Sequence, residues 1–122
     1  NPKSYFEPPA SGSDRHCGML IAPCSMGTLG RIAAGTSDDL MCRAADVCLK
    51  ERRKLVLLAR ETPLSLIHLR NMTAVTEAGA IVLPACPSFY HKPLTLVDAI
   101  DTVVDRALAQ LGLPTASKEW MK

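Results

Sequence analysis

Aromatic residues are scarce in this chain: two Phe, two Tyr and one Trp among 122 residues. Excess charge of one sign is missing too, since 14 Lys and Arg face 12 Asp and Glu for a net charge of +2. The basic surplus and stacking platforms of a nucleic-acid binder are therefore absent. No apolar run approaches the ~20 residues of a membrane span. The opening Asn1-Pro2-Lys3-Ser4 is not a secretory signal, and the lack of an initiating Met implies a processed or incomplete chain. Cys17, Cys24, Cys42, Cys48 and Cys86 include no Cys-x-x-Cys pair. Their odd number argues against both a disulfide framework and a structural zinc site. Four of them stand in apolar sequence, Cys86 included, which reads as small buried thiols in a reducing, cytoplasmic compartment. His16, His68 and His91 have no metal-ligand spacing, so no metal is expected.

What is present is a folded chain, 48% hydrophobic and 21% charged, of a length that suits one domain of about 100–200 residues. Residues 1–16, with Pro2, Pro8, Pro9 and Gly12, read as an irregular lead segment. Gly18-Met-Leu-Ile-Ala22, Leu55-Val-Leu-Leu-Ala59 and Ala80-Ile-Val-Leu83 are short continuous apolar runs, as buried strands are. Between them lie helix signals. Ser25 caps a helix to about Ala34, ended by Gly35. Asp38 caps another, whose apolar stripe is Leu40, Ala44, Val47 and Cys48. Pro63 opens a third, to about Ala78. Thr95 caps a long last helix that turns Leu96, Ala99, Ile100, Val103, Ala107, Leu108 and Leu111 to the core, and residues 114–122 form a tail. The order strand–helix–helix–strand–helix–strand–helix with non-alternating strands predicts α/β architecture, a doubly wound parallel sheet. Three strands make a narrow sheet with an apolar outer edge. The expected remedy is a larger α/β domain of which this is the C-terminal part, or pairing with another chain.

In open α/β sheets ligands bind beyond the carboxyl ends of the strands. Here those ends carry Pro23-Cys-Ser-Met-Gly-Thr28, Arg60-Glu-Thr-Pro63 and Pro84-Ala-Cys-Pro-Ser-Phe-Tyr-His-Lys-Pro93. Ser25 and Thr28 at a helix N-terminus suit an anion such as phosphate, or Ser25 simply caps its helix. Arg43 and Lys50, seven residues apart, share a helical stripe that could clamp a phosphate. Equally, Asp39–Arg43 and Asp46–Lys50 are ordinary i,i+4 surface pairs. Glu61 is either a general acid–base group or a first-turn Glu favoured by the helix dipole. Tyr90 and His91 lie in a Pro-braced loop, and Arg106 projects from the polar side of the last helix. Ser25 is not in a Gly-x-Ser-x-Gly elbow, which argues against a hydrolase nucleophile.

Several stretches in one order make the chain resemble the flavin prenyltransferase family, the UbiX-like flavoproteins. They are Pro9-Ala-Ser-Gly-Ser13, Gly18-Met-Leu-Ile-Ala-Pro-Cys-Ser-Met26, Arg43-Ala-Ala-Asp-Val47, Leu49-Lys-Glu-Arg-Arg53, Arg60-Glu-Thr-Pro-Leu64, His68-Leu-Arg-Asn-Met72, Phe89-Tyr-His-Lys-Pro93 and Asp101-Thr-Val-Val-Asp-Arg106. The resemblance implies a Rossmann/flavodoxin-like fold, residues 17–113 forming the C-terminal part of the domain with the family's N-terminal strands missing. It also implies a large homo-oligomer, commonly a dodecamer. The implied activity joins a dimethylallyl group from dimethylallyl phosphate to reduced FMN without a metal. The prenylated FMN serves a UbiD-type decarboxylase in ubiquinone synthesis or aromatic acid metabolism. By the same resemblance Ser25, Met26, Thr28 and Arg43 lie on the flavin side, and Lys50, Tyr90 and Arg106 hold the donor phosphate. Glu61 is then the acid–base group, and Trp120 matches a sheltering C-terminal aromatic. Two departures stand out: Gly27 occupies the place of a usual Lys, and the N-terminal flavin-phosphate loop with its catalytic Ser is absent. The competing expectation is therefore a non-catalytic flavin-binding or assembly subunit.

Overall fold

The structure, a computed structural model, describes residues 18–90 and 92–114. The lead segment 1–16, Cys17, His91 and Trp120 lie outside them. Seven elements follow in order: β1 (Gly18–Cys24), α1 (Met26–Ala34), α2 (Leu40–Lys50), β2 (Lys54–Ala59), α3 (Leu66–Glu77), β3 (Ile81–Pro84) and α4 (Leu96–Gln110). The three strands form one parallel sheet in the order β1-β2-β3. β1 starts at Gly18, opposite Lys54. A Cβ at Gly18 would stand 2.3 Å from the Lys54 carbonyl oxygen, so the approach of the two strands there admits only glycine. The β1–β2 register slips between Ile21 and Cys24, around Pro23, which has no N–H to give to a ladder.

Both crossovers step the same way across the sheet, so right-handed connections place α1, α2 and α3 on one face. Leu55, Leu57 and Ala59 of β2 meet Met19 and Ile21 of β1, Leu29 and Ile32 of α1, Cys42, Ala44, Ala45 and Cys48 of α2, and Val75 of α3 in one buried cluster. Val56, equally buried, belongs to the opposite face, where α4 packs against β2. With helices on both faces, the middle strand buries Leu55, Val56, Leu57 and Ala59, whereas β3, expected as a buried strand, is only half-buried at Ile81, Val82 and Leu83.

The caps set the helix boundaries. Ser25 caps α1 and Thr95 caps α4, and α1 ends on Gly35 in the left-handed conformation. Two starts differ from expectation. α2 is capped by Asp39, whose Oδ1 accepts the Cys42 N–H at 2.7 Å, while Asp38 turns to Arg31. α3 does not open at Pro63. Ser65 and His68 form a reciprocal capping box, which satisfies two amide donors at once and fixes the start at Leu66. In α2 the inward stripe is Cys42, Ala44, Ala45 and Cys48; Leu40 and Val47 are only half-buried.

The last helix is rotated from the face its leucines suggest. Ala99, Ala107 and Leu111 are buried as expected, but Leu96 and Ile100 are 77% and 50% exposed, Val103 and Leu108 are half-buried, and Thr102 and Asp105 take buried places. Thr102 is the reason. Its hydroxyl accepts the Ser88 N–H at 2.9 Å and donates to the Ala99 carbonyl at 2.6 Å, so a polar tether faces the sheet. Leu94, Leu96, Val97, Ile100 and Val104 are left as an exposed apolar stripe.

Candidate active site

The carboxyl ends of all three strands converge on one side of the sheet. Here Met26, Ala59, Arg60, Glu61, Leu64, Met72, Val82, Pro84, Ala85 and Cys86 enclose a pocket of about 130 Å³. Its floor is apolar, made by the start of α1, the ends of β2 and β3, and the inner side of α3. Its rim carries the charges of Arg60 and Glu61. Ala85 N–H donates to the Ala59 carbonyl at 2.9 Å, which ties the loop after β3 to the end of β2.

Glu61 stands exposed at this rim, and its Oε1 accepts the Thr62 N–H at 3.1 Å. Because α3 starts only at Leu66, Glu61 is not a first-turn residue and has no helix dipole to answer. Cys86 also lines the pocket and is exposed, against the expectation of a buried thiol. A loop after a four-residue strand has no helix above it to cover that position. Cys24, Cys42 and Cys48 are buried as expected. Burial pushes the Cys24 thiol up to about 11 and raises those of Cys42 and Cys48 as well.

At the end of β1, Ser25 Oγ accepts the Thr28 N–H at 3.1 Å and lies 3.1 Å from Thr28 Oγ1. Arg31, which the sequence reading passed over, donates from Nη2 to Thr28 Oγ1 at 3.1 Å. Thr28 and Arg31 are three residues apart on a helix, and that spacing was the available signal. Arg31 also faces Asp38 and Asp39 at 3.9 and 3.8 Å. The Cys42 N–H that Asp39 accepts holds its carboxyl below the usual carboxylate range. Asp38, Asp39 and Cys42 cluster closely enough to ligate an ion, but the Arg31 cation already answers the two carboxylates. Gly27 borders this group: a Cβ there would sit in ordinary contact, 3.8 Å from both Arg31 Nη1 and Ser25 Oγ. One turn on, a Cβ at Gly30 would approach Asn71 Nδ2 to 3.1 Å, a measure of how closely α1 and α3 pack.

The other candidates lie elsewhere. Arg43 is exposed on α2 and makes no ion pair among the described residues. The i,i+4 pairs do not form, because Asp39 turns back to cap its helix and Lys50 pairs with Glu51 at 2.8 Å. Lys50 ends α2, four residues before β2 begins, so it stands at the amino end of the sheet. Glu61 follows the carboxyl end of the same strand. Tyr90 is exposed in the loop after β3. Arg106 is exposed on α4, one turn beyond the Thr102 that tethers that loop. One chain thus gathers Met26 and Glu61 in the pocket, with Ser25 and Thr28 joined beside Met26, and leaves Lys50 at the far end of the sheet.

A parallel α/β sheet with polar groups gathered beyond its strand ends defines a protein of the doubly wound, ligand-binding class. The chain belongs to the Flavoprotein family, whose model matches residues 5–111. The flavin prenyltransferase UbiX of Pseudomonas aeruginosa is 53% identical to it over 110 residues, 90% of this chain and 53% of that protein. The flavin prenyltransferase UbiX of Thauera aromatica is 59% identical over 104 residues, 85% of this chain and 54% of that protein. A crystal structure of AnUbiX in complex with FMN and dimethylallyl pyrophosphate matches with a TM-score of 0.83 at 57% identity, over 87% of this chain and 56% of that one. A dodecameric FMN-dependent Ubix-like decarboxylase from Escherichia coli O157:H7 matches with a TM-score of 0.84 at 50% identity, over 92% of this chain and 61% of that one. The fold is accordingly the flavodoxin-like α/β fold of these proteins. The chain spans about half the length of the curated relatives it matches.

Proposed function

We propose that the protein is a flavin prenyltransferase, which transfers a dimethylallyl group from dimethylallyl phosphate to reduced FMN and yields prenylated FMN. The observation that carries this reading is Glu61 at the rim of a small apolar pocket beyond the ends of β2 and β3. At about 130 Å³ that pocket is below the size that takes a drug-sized ligand and suits a short branched hydrocarbon. A chain 57% identical over most of this length has been crystallised with FMN and a dimethylallyl donor, which supports the reading.

The residues at the end of β1 fit a flavin: Ser25 and Thr28 offer hydroxyls and Met26 offers an apolar surface; Arg43, exposed on α2, serves the flavin side as a cation without an ion pair among the described residues. When bound, reduced FMN supplies the nucleophilic positions N5 and C6. Lys50, Tyr90 and Arg106 hold the phosphate of the donor. The phosphate gains charge as it departs, so these groups stabilise the transition state more than the bound substrate. Glu61 is the acid–base group, giving a proton to the leaving phosphate and taking one at ring closure. Because Lys50 and Glu61 stand at opposite ends of β2, Lys50 reaches the site from a neighbouring copy. A homo-oligomer, such as a dodecamer, also covers the apolar stripe of α4. The reaction requires no metal, takes place in the cytoplasm, and feeds a UbiD-type decarboxylase in ubiquinone synthesis or aromatic acid metabolism. As a domain, residues 17–113 act as the C-terminal part of the flavoprotein unit, between the lead 1–16 and the tail 114–122.

The second reading is a non-catalytic flavin-binding or assembly subunit. Incubation with reduced FMN and dimethylallyl phosphate, followed by mass spectrometry of the flavin, separates the two. Prenylated FMN, lost in Glu61→Gln while FMN is still retained, supports the transferase. Retained but unmodified FMN supports the binding subunit, and a fully active Glu61→Gln removes the role given to Glu61.

A further inference from the structure

Thr28 is the middle of a short hydrogen-bond chain that ends on a cation. Ser25 Oγ accepts the Thr28 N–H, the two hydroxyl oxygens are 3.1 Å apart, and Arg31 Nη2 donates to Thr28 Oγ1 at 3.1 Å. Helical side chains lean toward the N-terminus, so Arg31 naturally covers the turn that precedes it.

A hydroxyl has one proton to give and two lone pairs, and a guanidinium can only donate. Arg31 therefore fills one lone pair of Thr28, and the Thr28 amide fills one lone pair of Ser25. The remaining bond between the hydroxyls uses one of their two protons, whichever way it runs. If Ser25 donates, both Thr28 lone pairs are filled and the Thr28 proton points outward. If Thr28 donates, both Ser25 lone pairs are filled and the Ser25 proton points outward. Either arrangement presents one outward donor on an oxygen with no capacity left to accept. Gly27 puts no side chain in its way.

We propose that Arg31 is a positioning residue, which fixes the Ser25–Thr28 pair as a hydrogen-bond donor to an acceptor oxygen or nitrogen of the bound flavin. The inference rests on the flavin reading given above. Its action is local. Asp38 and Asp39, at 3.9 and 3.8 Å, offset most of the guanidinium charge at a distance. The bond to Thr28 is charge-assisted and polarises the hydroxyl beyond it.

Four proteins test this by FMN titration with visible absorption spectra: wild type, Arg31→Met, Arg31→Lys and Asp38→Asn. Arg31→Met is expected to bind FMN about tenfold more weakly and to shift the flavin bands, because a charge-assisted bond behind the donor is lost. Arg31→Lys, which keeps a donor in reach of Thr28, recovers most of both. Asp38→Asn, which loosens only the ion pair, leaves both unchanged. Wild-type affinity and wild-type bands in Arg31→Met overturn the inference and leave the flavin reading standing. A loss in Asp38→Asn equal to that in Arg31→Met also overturns it, by showing a purely structural tie between α1 and α2. A wild-type chain that takes up no FMN overturns the flavin reading and this inference with it. Should Arg31→Met not fold, Arg31→Gln carries the same comparison, with a weaker effect of the same sign.

Discussion

Lys50 and Glu61 bracket β2, and their separation sets a quantitative expectation for mixed assemblies. The six residues of β2 at about 3.3 Å each put roughly 20 Å between its ends. That is several times the reach of a lysine side chain, so a site using both draws them from two copies. Lys50→Ala and Glu61→Gln should each be inactive as pure assemblies, the latter by about 10²–10⁴-fold for loss of an acid–base group. Co-expressed in equal amounts under different affinity tags, they form mixed oligomers. Half the copies then carry an intact Glu61 and half an intact Lys50, independently, so about 25% of the sites in a symmetric assembly are whole. Prenylated FMN formation should return to about that fraction of wild type. The control is wild type mixed equally with the Lys50→Ala/Glu61→Gln double variant. A site shared between copies again gives about a quarter, whereas a site within one chain gives about half. No activity in the mixed singles, together with half activity in the control, would refute the two-copy site.

Two further expectations concern stability. Leu57 is fully buried on the middle strand, opposite Ile21 and Val82 in its neighbours, so the space left by Leu57→Ala cannot close. Urea unfolding should show a loss of about 3–4 kcal/mol, and a loss below about 1 kcal/mol would deny β2 its central place. The Cys24 thiol ionises near its ordinary 9.0 when unfolded and near 11 when folded. Stability is therefore complete below pH 9 and declines as the pH rises toward 11, because only the unfolded chain gains from losing that proton. The urea midpoint of wild type should fall more steeply over that range than that of Cys24→Ala, and equal slopes would contradict the assignment.

The strands and most caps were legible because each rests on a local rule. The three apolar runs mark the three strands, although β1 runs through Pro23 to Cys24 and β3 is only half-buried, and Ser25, Gly35 and Thr95 mark helix ends. Errors arose where a longer-range contact decided the outcome. Asp38 and Asp39 are equivalent as caps by residue type, and Arg31 lies near both; the 2.7 Å bond from the Cys42 N–H marks Asp39 as the cap. Pro63 loses to the reciprocal Ser65–His68 bonds. The orientation of α4 follows from the Ser88–Thr102 bond across 14 residues of sequence, which no periodicity of leucines reveals. For the site, the rule that ligands gather at strand ends pointed to Ser25, Met26, Thr28 and Glu61. It could not point to Met72, which enters the pocket only through the packing of α3. The distance between Lys50 and Glu61 was implicit in the element order, since a helix that leads into a strand must end where the strand begins.

The close approach at Gly30 bears on how this site tolerates change. α1 begins with the hydroxyl pair and α3 follows the Glu61 turn, so the spacing of these two helices sets the distance between the two halves of the chemistry. That spacing is gauged by a missing side chain: even a methyl group at position 30 would press on Asn71 at 3.1 Å. A larger residue has either to turn the Asn71 amide aside or to widen the gap between the helices, and on the proposed reading that widening shifts the flavin side from the acid–base side. Position 30 is therefore a spacer between α1 and α3, and how far it can grow is set by how far the Asn71 amide can give way.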